Sequence, residues 1–421
     1  MNQWLKSTFV SLANRNFQIL SIGTILSFVA FFMSMIVQSV VAFELEGTNT
    51  AVSLVVFAQG GGMMFFGPLG GALADRWPKR RVIAVCQMLT ALVMLSISWL
   101  LSRNELTIEI LSAGAFLMGT AFAFLGPART SLVVDLVPEE TRGNAMAVTL
   151  IANTTSRVMG PFVAGMFLGW PLAGAMGAYF AMAIFYAVSA VSLVFLPKSI
   201  VRESAGDITV FATIVEGMVY IWQHPRLRLL VTFFGAVIFI GFPHVTVLPG
   251  LIENVHGLDA KSISGLFGAS AVGAVCASTA VARYADSPRA LPIYSAMAVV
   301  FGCGLMLLAY APNLQLCMLA MVGVGAGSGG FQALNTAVIA KATAPEFMGR
   351  VMSLTMMAFA GFGLMALPFG ILADRVGEQL TLLLMGMLVV VISLVMGRAL
   401  SRQVEKANGV DESLMGSESI V

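Results

Sequence analysis

Long apolar runs alternate with short polar or Gly- and Pro-containing breaks along almost the whole chain. Because about 20 apolar residues cross the hydrocarbon core of a bilayer, each run is long enough to form a membrane-spanning helix. The pattern therefore predicts an all-α integral membrane protein with about 12 spans. Their approximate limits are 17–43, 51–74, 82–101, 110–135, 144–168, 174–196, 229–251, 262–282, 291–311, 314–340, 351–373 and 380–398.

The longest polar stretch between these runs separates the spans into two sets of six. A leader before the first span is predicted either as a short amphipathic interfacial helix or as an unstructured segment. The polar tail is expected to be disordered from about Ala407. The predicted parts are a cytoplasmic leader 1–16, an N-terminal six-helix bundle 17–196, a cytoplasmic linker 197–228, a C-terminal six-helix bundle 229–398 and a cytoplasmic tail 399–421.

Lysine and arginine are distributed unevenly between the alternate loops. Cytoplasmic loops of membrane proteins are enriched in these residues, so their distribution predicts orientation. With the N-terminus inside, the outer loops contain only Arg103, Lys261 and Arg375, and most other basic residues fall in inner loops. Both termini are therefore expected in the cytoplasm.

Composition supports the membrane assignment and narrows the function classes. The chain is 58% hydrophobic and 10% charged, whereas soluble domains are about 45–50% apolar and about 25% charged. A net charge of +2 gives no reason to expect a nucleic-acid partner. The four cysteines are dispersed in apolar runs, and no catalytic or metal-binding motif is present, so neither an enzyme nor a metal or cofactor is predicted.

The densest cluster of charge is Gly71–Arg81, which reads GALADRWPKRR between the second and third spans. Charges are tolerated at a membrane edge and are costly inside the hydrocarbon, so this segment predicts a cytoplasmic turn. Asp75 would lie at the cytoplasmic end of the second span, where its carboxylate could form a gate. The alternative is that the charges only hold the loop inside the cell.

The two halves of the chain contain similar segments. Pro138–Gly143 follows the fourth span and Pro345–Arg350 follows the tenth, and Pro161 and Pro368 have the same spacing from these turns. The similarity predicts two six-helix bundles related by a pseudo-two-fold axis, with a cavity between them near the middle of the membrane.

A second similarity lies elsewhere in the chain. Gly370–Gly377 reads GILADRVG and matches the start of the Gly71–Arg81 cluster almost letter for letter. The loop charges place this second segment outside the cell. We therefore interpret it as the end of a helix on the outer side, rather than as another cytoplasmic gate.

Arg157 in the fifth span is the strongest single candidate for a binding residue, and Asn153 lies one helical turn away. An unpaired cation within a membrane is costly and is often functional. It could bind an anionic or polar substrate group or form a pair that responds to protonation. It could equally pair with helix carbonyls or an acidic group at the inner end, or extend towards the inner surface.

Arg129 follows Gly126 and Pro127 in the fourth span. Pairing with the Gly71–Arg81 loop is favoured over substrate contact, and Asp135, six residues further on, is awkwardly placed for a direct pair. Proline removes a backbone donor from a helix, so kinks are expected where the spans carry it. The kink candidates are Pro127, Gly160, Pro161 and Pro368.

Other polar residues in the spans could line the cavity or form bonds between helices. His244 could titrate near neutral pH, or it could be satisfied by a carbonyl or by Thr246. No acid lies deep in a span, so Glu44 at the outer end of the first span and His244 are the proton-coupling candidates. The remaining cavity candidates are Gln38, Gln332 and Asn335.

These motifs resemble those of a known family. The Gly71–Arg81 loop resembles the signature loop of the major facilitator superfamily, although Pro78 stands where glycine is usual. Gly160–Gly165, reading GPFVAG, is similar to its antiporter motif with Ala164 in place of a glycine. Further segments resemble the branch of macrolide efflux pumps and enterobactin-type siderophore exporters: Gly126–Arg129, Asn153–Pro161, His224–Arg228 and Pro345–Ser353.

The resemblance implies a secondary active transporter of the bacterial inner membrane that exports small amphipathic, drug- or siderophore-like molecules by alternating access. Proton antiport would supply the energy, and the protein would act as a monomer among membrane lipids. The alternative is a lysophospholipid flippase or an importer of the same fold. The resemblance also implies a gate in which Asp75 accepts hydrogen bonds from the start of the eleventh helix; its implied members are Gly71, Asp75, Arg76, Lys79, Arg129, Asp135 and Arg350.

Overall fold

The computed structural model describes residues 10–197, 210–258 and 260–418. These residues form helices and short connections, and no strand occurs among them. The α-helices are α1 Arg15–Glu46, α2 Asn49–Arg76, α3 Lys79–Ser102, α4 Ile108–Leu136, α5 Arg142–Leu168, α6 Gly174–Ser192, α7 Val210–Gln223, α8 Pro225–Gly241, α9 His244–Gly250, α10 Ala260–Ala282, α11 Ala290–Ala309, α12 Leu314–Lys341, α13 Met348–Ala360, α14 Phe362–Val376 and α15 Glu378–Glu418.

Local sequence explains how α1 begins and ends. Asn14 precedes its first turn, and the side chain accepts hydrogen bonds from Asn16 N at 2.9 Å and Phe17 N at 3.3 Å. At the other end, Gly47 has φ of 64° and its N–H bonds to the Phe43 carbonyl. Glycine adopts this left-handed conformation without steric cost, so the chain can turn at once into α2.

Ten helical segments in the described part of the chain are long and apolar enough to cross a membrane. They correspond to the predicted spans except the fifth and the eleventh. The helix at the fifth, α5, is long but carries several polar residues, including Asn153 and Arg157. The eleventh is not one helix, because the chain breaks at Gly361 between α13 and α14.

The seventh predicted span is also interrupted, so the prediction of single continuous helices was wrong at two places. Helix α8 ends at Gly241, Pro243 follows, and α9 then leads into a π-helical turn, Leu251–Val255. Proline cannot donate the backbone hydrogen bond that would continue α8.

Helices also occur outside the predicted spans, in the linker and in the tail. Helix α7 lies within the predicted linker, of which residues 198–209 are outside the described part. The last helix continues to Glu418, through the tail that was predicted to be disordered. Its first part beyond the predicted twelfth span, Ala399–Ala407, contains neither proline nor glycine and many good helix formers, which explains the continuation. Of the leader, only residues 10–16 are described, as a short 3₁₀ turn, Val10–Ala13, running into α1.

The described residues belong to two compact units. Within the described ranges, unit 1 contains 10–197, 210–212, 245–258, 260–268 and 363–378, and unit 2 contains 213–244, 269–362 and 379–418. Both interrupted spans pass from one unit to the other one or two residues after their breaks, at His244–Val245 and at Phe362–Gly363.

In unit 2, the core is built around stacked aromatic rings from three helices. Tyr294 of α11 lies parallel to Phe331 of α12, with ring centroids 4.5 Å apart, and Phe233 of α8 packs edge-on against both. All three side chains are fully buried. Such pairs stabilise a core beyond the area that they bury.

In unit 1, α2 and α4 pack closely because glycines face backbone across their contact. A Cβ atom on Gly62 would lie against the Phe116 carbonyl oxygen and 2.8 Å from Thr120 N. A Cβ atom on Gly119 would meet the backbone of Gln59 in the same way. Small residues of this kind let membrane helices approach until their backbones touch. The two helices therefore have little freedom to accept larger side chains here.

Gly62→Ala is expected to lower the midpoint of thermal unfolding in detergent by several degrees, since the added methyl group must push α4 away. The matched control is Gly61→Ala, because a Cβ atom on Gly61 meets nothing within 4 Å. Alanine favours a helix over glycine by about 1 kcal/mol, so the control should be neutral or slightly stabilising. Equal midpoints for the two variants would contradict the packing argument.

Candidate functional site

A cavity of about 210 Å³ lies within unit 1 among α1, α4, α5 and α6. Its walls combine aromatic rings with polar and cationic groups. The aromatic, amide and cationic side chains in its lining are those of Phe28, Phe31, Phe122, Arg129, Asn153 and Tyr186. The volume is below the roughly 300–1,000 Å³ of a complete drug-sized site. The cavity therefore fits one ring or one polar group of a larger molecule.

Arg129 is the dominant charge in this cavity, although its side chain is only 6% exposed. Its Nη2 donates to Ser27 Oγ at 2.8 Å, and the guanidinium lies 4.8 Å from the ring centroid of Phe28. Its Nε has no hydrogen-bond partner, and no described carboxylate forms an ion pair with the guanidinium. A buried cation so weakly compensated can bind an acceptor group that enters the cavity.

The pairing of Arg129 with the Gly71–Arg81 loop stays a prediction, because the side chains of residues 71–76 lie outside the described part of the chain. The described contacts of Arg129 come from α1. Ser27 and Phe28 precede it by about a hundred residues in the chain, so no local spacing could have indicated them. Asn153 reaches the cavity from α5, and this brings two sequence candidates together.

Arg157, one turn beyond Asn153, does not line this cavity. It is partly buried, and its guanidinium lies 5.5 Å from the ring centroid of Phe32 on α1. No ion pair joins Arg157 to a carboxylate in the described residues. The aromatic face thus supplies a cation–π contact in place of an anion.

Lys79 and Asp135 form a close ion pair at the ends of α3 and α4. Lys79 Nζ lies 2.6 Å from Asp135 Oδ2, and the two side chains are 7% and 19% exposed. Their role in a gate remains a prediction, because the side chains of residues 71–76, which include Gly71, Asp75 and Arg76, lie outside the described residues.

Arg350, the other implied gate residue, pairs within unit 2. Its Nη1 lies 3.0 Å from Glu216 Oε2 on α7, and its guanidinium lies over the Phe347 ring. The backbone N–H of Ala344 donates to the Tyr220 hydroxyl at 3.0 Å, which also holds α7 close to the start of α13. The linker helix is therefore attached to the second unit at this point.

Two uncharged polar candidates are buried and already bonded. Gln38 Nε2 lies 3.0 Å from Met118 Sδ. Asn335 Oδ1 accepts a hydrogen bond from the Tyr294 hydroxyl at 3.0 Å. Gln332 is partly buried in α12.

The proton-coupling candidates have different surroundings. His244 is 5% exposed, and its Nδ1 lies 2.8 Å from the Gly241 carbonyl oxygen. This contact is one of the alternatives that the sequence left open. Glu44 is exposed near the end of α1, and Glu253 is close enough for the two carboxylates to repel each other.

The helices continue through the three prolines that were kink candidates: Pro127 in α4, Pro161 in α5 and Pro368 in α14. Gly160 instead marks a close approach of helices. A Cβ atom there would lie 2.5 Å from Phe32 Cβ and 2.9 Å from Met33 N on α1. This glycine therefore permits α5 to pack against the first helix beside Arg157.

A polar cluster that sequence reasoning missed lies at the start of α2. Asp374 accepts hydrogen bonds from the backbone N–H groups of Asn49 and Thr50, each at 2.8 Å, and from the side chains of both residues. Glu378 Oε1 accepts from Asn49 Nδ2 at 2.9 Å and from Asn254 Nδ2 at 2.7 Å. Asp374 is the acid of the GILADRVG segment, whose helix ends at Val376 before Gly377.

The ionisation of Asp374 follows from these contacts. Partial burial raises the pKa of its carboxyl, but hydrogen bonds from Thr50 and Asn49 outweigh burial, and the pKa lies below the ordinary value. Because this pKa is lowered, the ionised carboxylate makes its full contribution to the stability of the folded protein at neutral pH. This contribution is lost only in acid, as the pH falls through the lowered pKa.

The model of the Major Facilitator Superfamily matches residues 20–363, and the chain belongs to this family. It is therefore a multi-pass membrane transporter, and neither the family nor the fold is that of an enzyme.

Individual relatives are distant. The chain is 24% identical over 383 residues to macrolide efflux protein A of Streptococcus pyogenes, covering 87% of this chain and 92% of the relative. It is 22% identical over 344 residues to the staphyloferrin A transporter of Staphylococcus aureus, covering 80% and 85% respectively. The crystal structure of the nucleoside transporter NupG has a TM-score of 0.73 at 16% identity, covering 92% of this chain and 99% of NupG.

Proposed function

We propose that this protein exports small amphipathic molecules from the cytoplasm across a bacterial inner membrane, by alternating access coupled to proton antiport. It acts as a monomer in the lipid bilayer. Two relatives named for macrolide efflux and for a siderophore support this class of substrate. The observation that carries the proposal is the cavity around Arg129.

The walls of this cavity suit a molecule with both apolar and polar parts. Phe28, Phe31 and Phe122 line it with apolar ring atoms, whereas Arg129 and Asn153 supply hydrogen-bond donors. Binding sites for small molecules commonly combine apolar walls with a few polar groups that fix orientation. The cavity would hold the acceptor-bearing end of the substrate, and the rest of the molecule would extend beyond it.

Coupling to protons requires a group that changes charge. Glu44 and His244 are the candidates for this role, and at Glu44 the negative charge of Glu253 would favour uptake of a proton. The fixed charge of Arg129 would in turn attract a substrate whose acceptor group is anionic.

Transport in inside-out vesicles tests the function. The panel should contain a macrolide, a carboxylate siderophore and a lysophospholipid, with the lumen either acidic or at the pH of the medium. We expect at least one of the first two to accumulate in the lumen when it is acidic, because protons leaving the lumen would drive antiport. Vesicles without the protein provide the background.

A protonophore should abolish this accumulation. Accumulation that is equal with and without the gradient would contradict proton coupling. Transport of the lysophospholipid alone would identify a lipid carrier, and release of the compounds from the lumen under the same gradient would identify an importer.

A further inference from the structure

The polar cluster at the start of α2 joins parts of the chain that are far apart in sequence. We propose that Asp374, held on Asn49 and Thr50, is a latch that keeps the outer side of the transporter closed. The inference concerns conformation alone and does not depend on which substrate is carried.

The hydrogen-bond geometry supports a latch, because Asp374 meets the part of α2 that is best suited to bind an anion. The first N–H groups of a helix have no partner within it, and the helix dipole is positive at that end. Asp374 uses both carboxylate oxygens there, Oδ1 on Asn49 and Oδ2 on Thr50. The bonds link positions 325 and 324 residues apart.

Glu378 extends the same contact to a third segment. Its carboxylate is on a residue that is only 8% exposed, and it binds the side chains of Asn49 and Asn254. Gly250 lies directly beside this group, since a Cβ atom there would be 2.6 Å from Glu378 Oε1. The start of α2 is thus bound by Asp374 at the end of α14 and by Glu378 at the start of α15. Glu378 in turn accepts a hydrogen bond from Asn254 in the π-helical turn of the seventh span.

Two glycines of α14 let this helix reach α2. A Cβ atom on Gly363 would lie 2.8 Å from Gly60 Cα, and one on Gly370 would meet Ser53 and lie 2.7 Å from the Asn49 carbonyl oxygen. The two glycines are seven residues apart and therefore lie on one face of α14. Any larger residue at position 370 would separate the helices beside Asp374.

With the N-terminus in the cytoplasm, as predicted, every odd-numbered span ends on the outer side. Arg375 follows the eleventh span and the loop before α2 follows the first, so this contact lies on the outer side. Transporters of this architecture open one side at a time by moving their two repeats. A contact between the first and second halves of the sequence at the outer end must break before that side can open. It therefore stabilises the outward-closed state and disfavours the outward-open one.

The latch can be tested by distances between spin labels at Leu45 and Val376, which are exposed residues beside its two ends. The labels require a variant that lacks the four native cysteines. We expect Asp374→Asn to increase the ratio of long to short distances at least tenfold, since an amide presents one acceptor and no charge to α2. A tenfold change corresponds to about 1.4 kcal/mol.

Arg375→Gln is the matched control, because it removes a neighbouring exposed charge that forms none of these contacts. Gly370→Ala is a second, independent variant. It leaves every charge of the latch in place and should shift the distances in the same direction by forcing α14 away from Ser53. Thermal unfolding in detergent checks that each variant is folded.

The latch is supported if Asp374→Asn and Gly370→Ala both favour the long distance while Arg375→Gln matches the parent protein. It is refuted if the first two variants unfold at lower temperature but keep the parent distance distribution, since Asp374 would then be a permanent helix cap. If Asp374→Asn does not fold, the distances in Gly370→Ala decide the question. Because no substrate is needed, failure of the latch is distinguishable from failure of the proposed export.

Discussion

Arg129→Met is expected to reduce transport of a substrate that carries an anionic or strong acceptor group by about tenfold to a hundredfold. A hydrogen bond to a charged group contributes about 1.5–3 kcal/mol, which corresponds to this range. The effect should be on transport at low substrate concentration, where binding limits the rate. Uptake into inside-out vesicles over a range of concentrations measures it.

The thermal stability of Arg129→Met distinguishes a role of Arg129 in substrate binding from a role in holding helices together. If Arg129 served only to hold α1 against α4, its removal would lower the unfolding midpoint. Replacing an unpaired buried cation with an apolar side chain of similar length removes a desolvation penalty, so we expect an unchanged or higher midpoint. Arg129→Lys keeps the charge but not the planar guanidinium, and it should retain part of the transport.

Arg157→Met is the matched comparison, because it makes the same change on the same unit at a residue outside the cavity. We expect it to leave the dependence on substrate concentration close to that of the parent protein. If Arg157→Met changed the concentration dependence of transport more than Arg129→Met, the substrate would bind outside this cavity.

Breaking the Lys79–Asp135 pair is expected to destabilise the protein strongly. Lys79→Met or Asp135→Asn leaves one poorly exposed charge without its partner, at a cost of about 3 kcal/mol. The double variant should lose clearly less free energy of unfolding than the sum of the losses in the two single variants, because neither charge is then left without a partner. Unfolding of the purified protein by denaturant in mixed micelles measures these differences.

The chain offers a matched exposed pair for comparison. Arg142 Nη1 lies 3.8 Å from Glu139 Oε2, and these side chains are 39% and 83% exposed. Surface pairs contribute about 0–1 kcal/mol, so Glu139→Gln should be nearly neutral. Equal effects at the two pairs would show that burial of Lys79 has no energetic consequence.

The sequence predicted the helical class and most span limits because the length of an apolar run is set directly by membrane thickness. It missed the breaks at Pro243 and Gly361, which lie inside apolar runs where hydropathy does not change. Pro243 was a usable signal, since proline after a helix residue often ends the helix. Gly361 was not, because glycines are common throughout these spans.

Prediction of the site was limited for a different reason. Arg129 and Asn153 stood out as polar residues in apolar runs, but the sequence does not specify which helices face each other. The ring of Phe28 and the hydroxyl of Ser27 were therefore not recognised as partners of Arg129. Asn49 and Glu378 lie at span ends, where polar residues are ordinary, and only the repeated LADR letters indicated that Asp374 was unusual.

The interruption at Gly361 has a practical consequence for conformational reporters. A continuous helix is a rigid rod, so a probe at one end also reports on the other. Helices α13 and α14 belong to different compact units, divided at Phe362–Gly363. We therefore expect a fluorophore near Arg350 to report on unit 2, so that the end of α14 that carries Asp374 needs a probe of its own.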